Sequence, residues 1–144
     1  MKRLGQLLLA VAVVGVVTGG ASAQERKLIP PIRGEATLDM TKPATKLSGA
    51  EVVTVIIVRN PATTGAIAGL KVEENWYDKA GNPVAGDLYR HPRPLRAGEV
   101  VTITLRTPRS PAMNSNKYQF SHTNGTIKAN IVPKIDVPPT TAAK

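Results

Sequence analysis

A chain of 144 residues is long enough for one hydrophobic core and too short for two once an export leader is set aside. It has no cysteine, which excludes a disulfide framework, a thiolate nucleophile, a zinc knuckle and an iron–sulfur site. The net charge is +9 and the aromatic residues are one Trp, three Tyr and one Phe, a balance that suits an anionic partner but not base stacking on single-stranded nucleic acid.

Met1-Lys2-Arg3 is a short positive start, Leu7 to Val17 an uncharged apolar run, and Gly19-Gly20-Ala21-Ser22-Ala23 a small-residue segment. This order predicts a secretory signal peptide over 1–23, cleaved between Ala23 and Gln24. The apolar run is well short of the about 20 residues a spanning helix needs, and Thr18-Gly19-Gly20 breaks it early; an uncleaved N-terminal anchor is the alternative. No cysteine follows the run to accept a lipid. No later stretch reaches spanning length, so the mature chain is expected without a transmembrane segment, in the periplasm or outside the cell.

Residues 24–33 carry Glu25, Arg26 and Lys27 ahead of Pro30-Pro31, which favour an extended arm. A domain over 34–132 follows. Its apolar residues recur every second position and turn residues interrupt them about every ten. Ala36, Leu38 and Met40 alternate with Thr37, Asp39 and Thr41, predicting a strand with one buried face. Val52 to Val58 is apolar almost throughout and predicts a central strand covered on both sides or lying at a crowded sheet junction. The next strand is expected from about Ile67 to Tyr77, with Trp76 buried and Tyr77 facing the other way. Glu74 falls on the apolar side of that strand, and is expected at a sheet edge or beside a basic neighbour. Asp78 to Asn82 predicts a hairpin turn, and Pro83 to Leu88 a short edge strand with its proline at the start.

Arg90-His91-Pro92-Arg93-Pro94-Leu95-Arg96 cannot hold a regular ladder, because two prolines fall within three positions. It predicts a stiff basic loop. Val101, Ile103 and Leu105 then mark a half-buried strand, and Thr107 to Asn116 a crossing between sheets. Tyr118 and Phe120 mark another strand, joined through Thr123-Asn124-Gly125 to Ile127, Ala129 and Ile131. Residues 133–144 are rich in Pro and Thr, with little to bury, and predict a loose tail. The expected fold class is therefore all-β, an immunoglobulin- or fibronectin-like sandwich of about seven strands without the antibody Cys pair.

The middle of the chain has a more specific order. An apolar strand ends in Arg59-Asn60; Leu70-x-Val72 leads into Trp76-Tyr77-Asp78-x-x-Gly81-x-x-Val84; Leu95-x-x-Gly98-Glu99-Val100 and Thr107-Pro108 follow. This order, over about Glu51 to Ser121, resembles the FxLYD-type and YcfL-like bacterial envelope domains. Glu74 and Trp76 stand where the FxLYD pattern has its Phe and Leu, and the lipidation Cys usual in YcfL-like proteins is missing. The resemblance implies an extracytoplasmic, immunoglobulin-like, non-enzymatic domain, in which the Tyr-Asp and Leu-x-x-Gly-Glu motifs shape turns. It implies no catalytic residues.

Little in the chain points to chemistry. His91 and His122 are the only histidines, neither lies in a nucleophile motif, and both are expected as exposed loop residues. They form no chelating pair, and Glu73 and Glu74 point to opposite faces of a strand, so no metal, cofactor or paired-carboxylate site is expected. What stands out is positive charge. Arg90, Arg93 and Arg96, with His91 among them, lie on a Pro-stiffened loop, and guanidinium groups bind carboxylate and phosphate bidentately. The alternative is a solvated loop that guards a weak sheet edge against aggregation. The function expected is a non-catalytic exported module that binds another envelope protein or a copy of itself. The alternative is a module for an anionic glycan or lipid headgroup held by the basic loop. Nucleic acid is not an expected partner.

Overall fold

The computed structural model describes residues 28–138. The expected signal peptide, the first part of the arm and the end of the tail lie outside the described residues.

Among the described residues there is no helix. Eight strands form: β1 (Ala36–Met40), β2 (Ala44–Ser48), β3 (Glu51–Arg59), β4 (Lys71–Tyr77), β5 (Pro83–Arg90), β6 (Val100–Pro108), β7 (Ser115–His122) and β8 (Gly125–Ile131). They make one curled, mixed sheet in the order β2-β3-β1-β8-β7-β4-β5, with β6 along the other edge of β3. Only β1 and β8 pair in parallel, from Ala36 opposite Ile127 to Met40 opposite Ile131. The curl brings β5 beside β6, and the backbone N–H of Arg106 in β6 donates to Asp87 Oδ2 of β5 at 2.7 Å, so one edge caps the other.

The core follows from the alternation. Leu38 of β1, Ile56 and Val58 of β3, Val72 of β4 and Ile103 and Leu105 of β6 are fully buried, joined by Ile67, Leu70 and Leu95 from the connections. Each such side chain contributes about 1.5–3 kcal/mol by leaving water. β3 is central, as its apolar run implied: β6 covers one side of it, and β2 and β1 share the other.

Several expectations are corrected. Eight strands form where about seven were expected. β2 carries no apolar rhythm, because all five of its residues are exposed. β4 begins at Lys71, not near Ile67, because Gly69 (φ 62°) turns the chain so close to Thr123 that a Cβ there would overlap its hydroxyl. β5 runs past Leu88 to Arg90, held against Lys71. Glu74 lies neither at an edge nor beside a cation: it sits on β4 between β5 and β7 and is fully buried. Trp76 is only half-buried, since the inner faces open to solvent at its end of β4. His122 is buried, not exposed; its Nε2 is 2.8 Å from the Gly34 carbonyl, tying the chain before β1 to the β7–β8 turn. In the C-terminal segment Ile135 is buried at 4% exposure, so that stretch does have a side chain to bury. The hairpin turn after β4 closes as its residues demand: Asp78 N donates to the Asn82 carbonyl, Asn82 N donates to Asp78 Oδ1, and Gly81 takes φ 85°.

Candidate functional site

The loop between β5 and β6 is built outward from one buried side chain. Leu95 is fully buried, and its backbone exchanges two hydrogen bonds with Ile67, both 2.9 Å. That anchor lies midway along the Pro-rich stretch, so Pro92 and Pro94 hold an extended path toward it while the residues on either side stay at the surface. Asn60, fully buried at the end of β3, secures the same loop. Its Nδ2 donates to the carbonyls of Leu95 (3.0 Å) and Gly65 (3.2 Å), and its own carbonyl accepts from Gly98 N at 2.7 Å. Gly98 has φ 73°, a conformation that suits glycine and lets the chain turn into β6.

Glu99 then organises the cations. Arg93 reaches it through both guanidinium nitrogens, Nη1 donating to Oε2 at 3.0 Å and Nη2 to Oε1, while the backbone N of Arg96 donates to Oε2 at 2.8 Å. Burial pushes the Glu99 carboxyl up, but the bonds from Arg93 and from the Arg96 backbone outweigh it and hold the group below the usual carboxylate range. The same pairing holds Arg93 above its usual value.

The four residues singled out in the sequence therefore divide. Arg93 is paired internally. His91 is half-buried; its Nδ1 lies 2.8 Å from the Tyr89 hydroxyl, and burial, helped by the Arg93 charge, pushes its pKa down, so it is neutral near pH 7 and adds no charge to the loop. Arg90 is exposed at the end of β5 and lines none of the concavities beside the loop. Arg96 is exposed, and no carboxylate among the described residues pairs with its side chain.

Arg96 is where the surface becomes concave. Three shallow hollows meet on it, one of about 250 Å³ walled by Leu28, Ile29, Ala66, Arg93 and Pro94, one bounded by Thr63, Thr64 and the Leu28–Pro30 stretch, and one by Ala97 to Glu99. The arm reaches this place because it is zipped to the loop before β4: Ala66 N donates to the Pro30 carbonyl at 3.0 Å and Ile32 N to the Ala66 carbonyl at 2.8 Å. Leu28 is 92% exposed and Ile29 44%, beside the guanidinium groups. Sequence reasoning found the arginines but not their companions. In the sequence Glu99 belongs to a turn motif and Leu28 and Ile29 to an extended arm; the spacing Arg93-x-x-Arg96-x-x-Glu99 is the signal that points to the first.

Among the described residues, no group of three His, Asp or Glu side chains gathers as a metal site, and no helix is long and apolar enough to cross a membrane. No family model and no curated protein matches the chain. Among solved structures it is similar to IrmA from Escherichia coli, at 9% identity with a TM-score of 0.44, covering 72% of this chain and 98% of that one.

Proposed function

We propose that this chain is a non-catalytic module, exported to the periplasm or beyond the cell and built as an immunoglobulin-like sandwich of the kind found in FxLYD-type and YcfL-like envelope domains, which acts by binding another envelope protein. The observation that carries the reading is the arm–loop face: exposed Leu28 and Ile29 lie against a loop fixed by Leu95, Asn60 and Glu99, next to the guanidinium of Arg96. Apolar side chains ringed by arginine on a preformed surface are typical of protein contacts. The second reading, capture of an anionic glycan or lipid headgroup, draws on Arg90 and Arg96, whose side chains pair with no carboxylate among the described residues. It is weakened by the internal pairing of Arg93 and the neutrality of His91.

Retention of the mature protein's partners from its own envelope fraction, at low and physiological salt, tests both readings. Contact through Leu28 and Ile29 should survive the higher salt and fail in Leu28→Ser/Ile29→Ser. Polymer binding should fall steeply with salt and vanish when Arg90, Arg93 and Arg96 become Gln, with the thermal midpoint nearly unchanged. Retention unaffected by either set of changes would remove this face from the reading.

A further inference from the structure

At the end of the strand order, β2 has one neighbour only among the described residues. Its register with β3 runs from Ala44 opposite Val55 to Ser48 opposite Glu51, and its other edge pairs with no strand among the described residues. Such an edge presents a row of backbone donors and acceptors to any chain laid beside it. Next to it is a groove of about 310 Å³, lined by Thr45, Lys46 and Leu47 of β2, by Val52 and Trp76, and by Arg109, Ser110, Pro111 and Met113. Its wall is preformed: Arg109 N donates to the Ala50 carbonyl at 2.8 Å, Met113 N to the Ser110 carbonyl at 3.2 Å and Asn114 N to the Tyr77 carbonyl at 2.8 Å. Leu47, on the same face as buried Val52, is 62% exposed. The Trp76 Nε1–H is buried with no acceptor, an indole donor that stands to gain from a carbonyl brought within reach.

From this edge and groove we infer that β2 accepts an extended segment of a partner protein by strand addition, one that alternates apolar and acidic side chains. Strand addition supplies affinity through main-chain bonds and specificity through pockets for alternate side chains. Leu47, Val52, Trp76 and Met113 provide the apolar pocket, and the charged residues lining the groove, Lys46 and Arg109, are both cationic. The same charge argues against a second copy of this chain. Antiparallel pairing of two β2 strands about their midpoint would set Lys46 directly opposite its counterpart, and like charges so placed destabilise a sheet.

Trp76 is the only tryptophan of the 144 residues, so its emission reports on the groove without a label. The full mature chain would be titrated with a capped decapeptide of alternating Val and Glu, with amide exchange of β2 followed in parallel. The expected result is a saturable emission change, slowed exchange of the outward β2 amides, and at least tenfold weaker binding to Lys46→Glu/Arg109→Glu, a surface variant whose unchanged thermal midpoint shows that it folds. A peptide with Lys in place of Glu should not bind. No emission change up to millimolar peptide would overturn the inference, as would equal binding of the Lys peptide, or an emission change without β2 protection. Dimerisation of the chain alone through β2, read by sedimentation with concentration-dependent emission, would assign the edge to a second copy and overturn it as well.

Discussion

Glu74 and Glu99 are carboxyl groups with a similar task in opposite settings. Glu74, on β4, accepts hydroxyl bonds from Thr54 of β3 (2.7 Å), Thr107 of β6 (2.8 Å) and Tyr118 of β7 (2.9 Å), with Asn116 at 3.4 Å, so a single side chain stitches four strands across the core. Every partner donates and none is a cation, and burial is the main influence pushing the Tyr118 hydroxyl pKa up. Glu99 also gathers donors, but from the guanidinium of Arg93 and a backbone N–H at the surface, where water competes for each bond. The chemistry is alike, yet the energetic weight differs, because a donor stripped of its partner in the core has no water to turn to.

Removing Glu74 should therefore produce the largest effect. Glu74→Ala leaves two buried threonine hydroxyls and the half-buried Tyr118 hydroxyl without their acceptor and opens a cavity, and should cost about 3–5 kcal/mol in chemical denaturation; a loss under about 1 kcal/mol would mean that the hydroxyls find other partners and that the two settings do not differ. Glu74→Gln, which preserves shape, should cost less than half as much.

Trp76 lies near this network but at the open end of the same face. Its half-burial places Trp76→Ala at about 2 kcal/mol, below the range for a fully buried aromatic. Native emission that iodide quenches partially, between the limits of a sealed and a free indole, would agree.

Asp39 lies between the two extremes. It is buried, while its partner Arg59 is 43% exposed; they meet at 2.6 Å, and Asn130 adds a bond at 3.1 Å. The bond from Arg59 is the main influence holding its pKa below the ordinary value, against burial, which raises it. A carboxylate depressed in the folded state contributes its stability above the unfolded pKa and loses it as pH falls through the folded one. Stability should thus drop below about pH 4, and Asp39→Asn should cost about 1.5 kcal/mol at pH 7 while flattening that acid limb. A wild-type acid limb left intact in Asp39→Asn would assign it to other carboxylates.

The smallest effect belongs to the surface pair. Arg93→Gln should shift stability least of all, and by less still in high salt, because the guanidinium is more than half exposed. A double-mutant cycle with Glu99→Gln measures the coupling. A value near that of Glu74 would show the loop, not the core, to be the more tightly determined region.

Much of the fold was legible because the apolar alternation in β1, β3 and β6 is regular and because Asp78 to Asn82 and Asn124-Gly125 are strong turn signals. β2 was not legible, since its residues bury nothing and it exists as a strand only by pairing with β3. In the candidate site the arginines were plain, but their inequality was not. Whether a guanidinium is neutralised depends on a carboxylate whose distance is set by a turn, here the one that brings Glu99 back onto Arg93 and the backbone of Arg96.

The sequence by itself determined the all-β class, the place of the central strand and the Pro-stiffened course of the basic loop, because these follow from local rules: period-two burial, the fixed φ of proline and the freedom of glycine. Tertiary structure alone decided that Glu74 lies among hydroxyls from three other strands, that His122 is buried against Gly34, and that Leu28 and Ile29 stand beside Arg96. Each of these joins residues distant in sequence whose meeting depends on how the sheet curls, and no periodicity within a single segment encodes that.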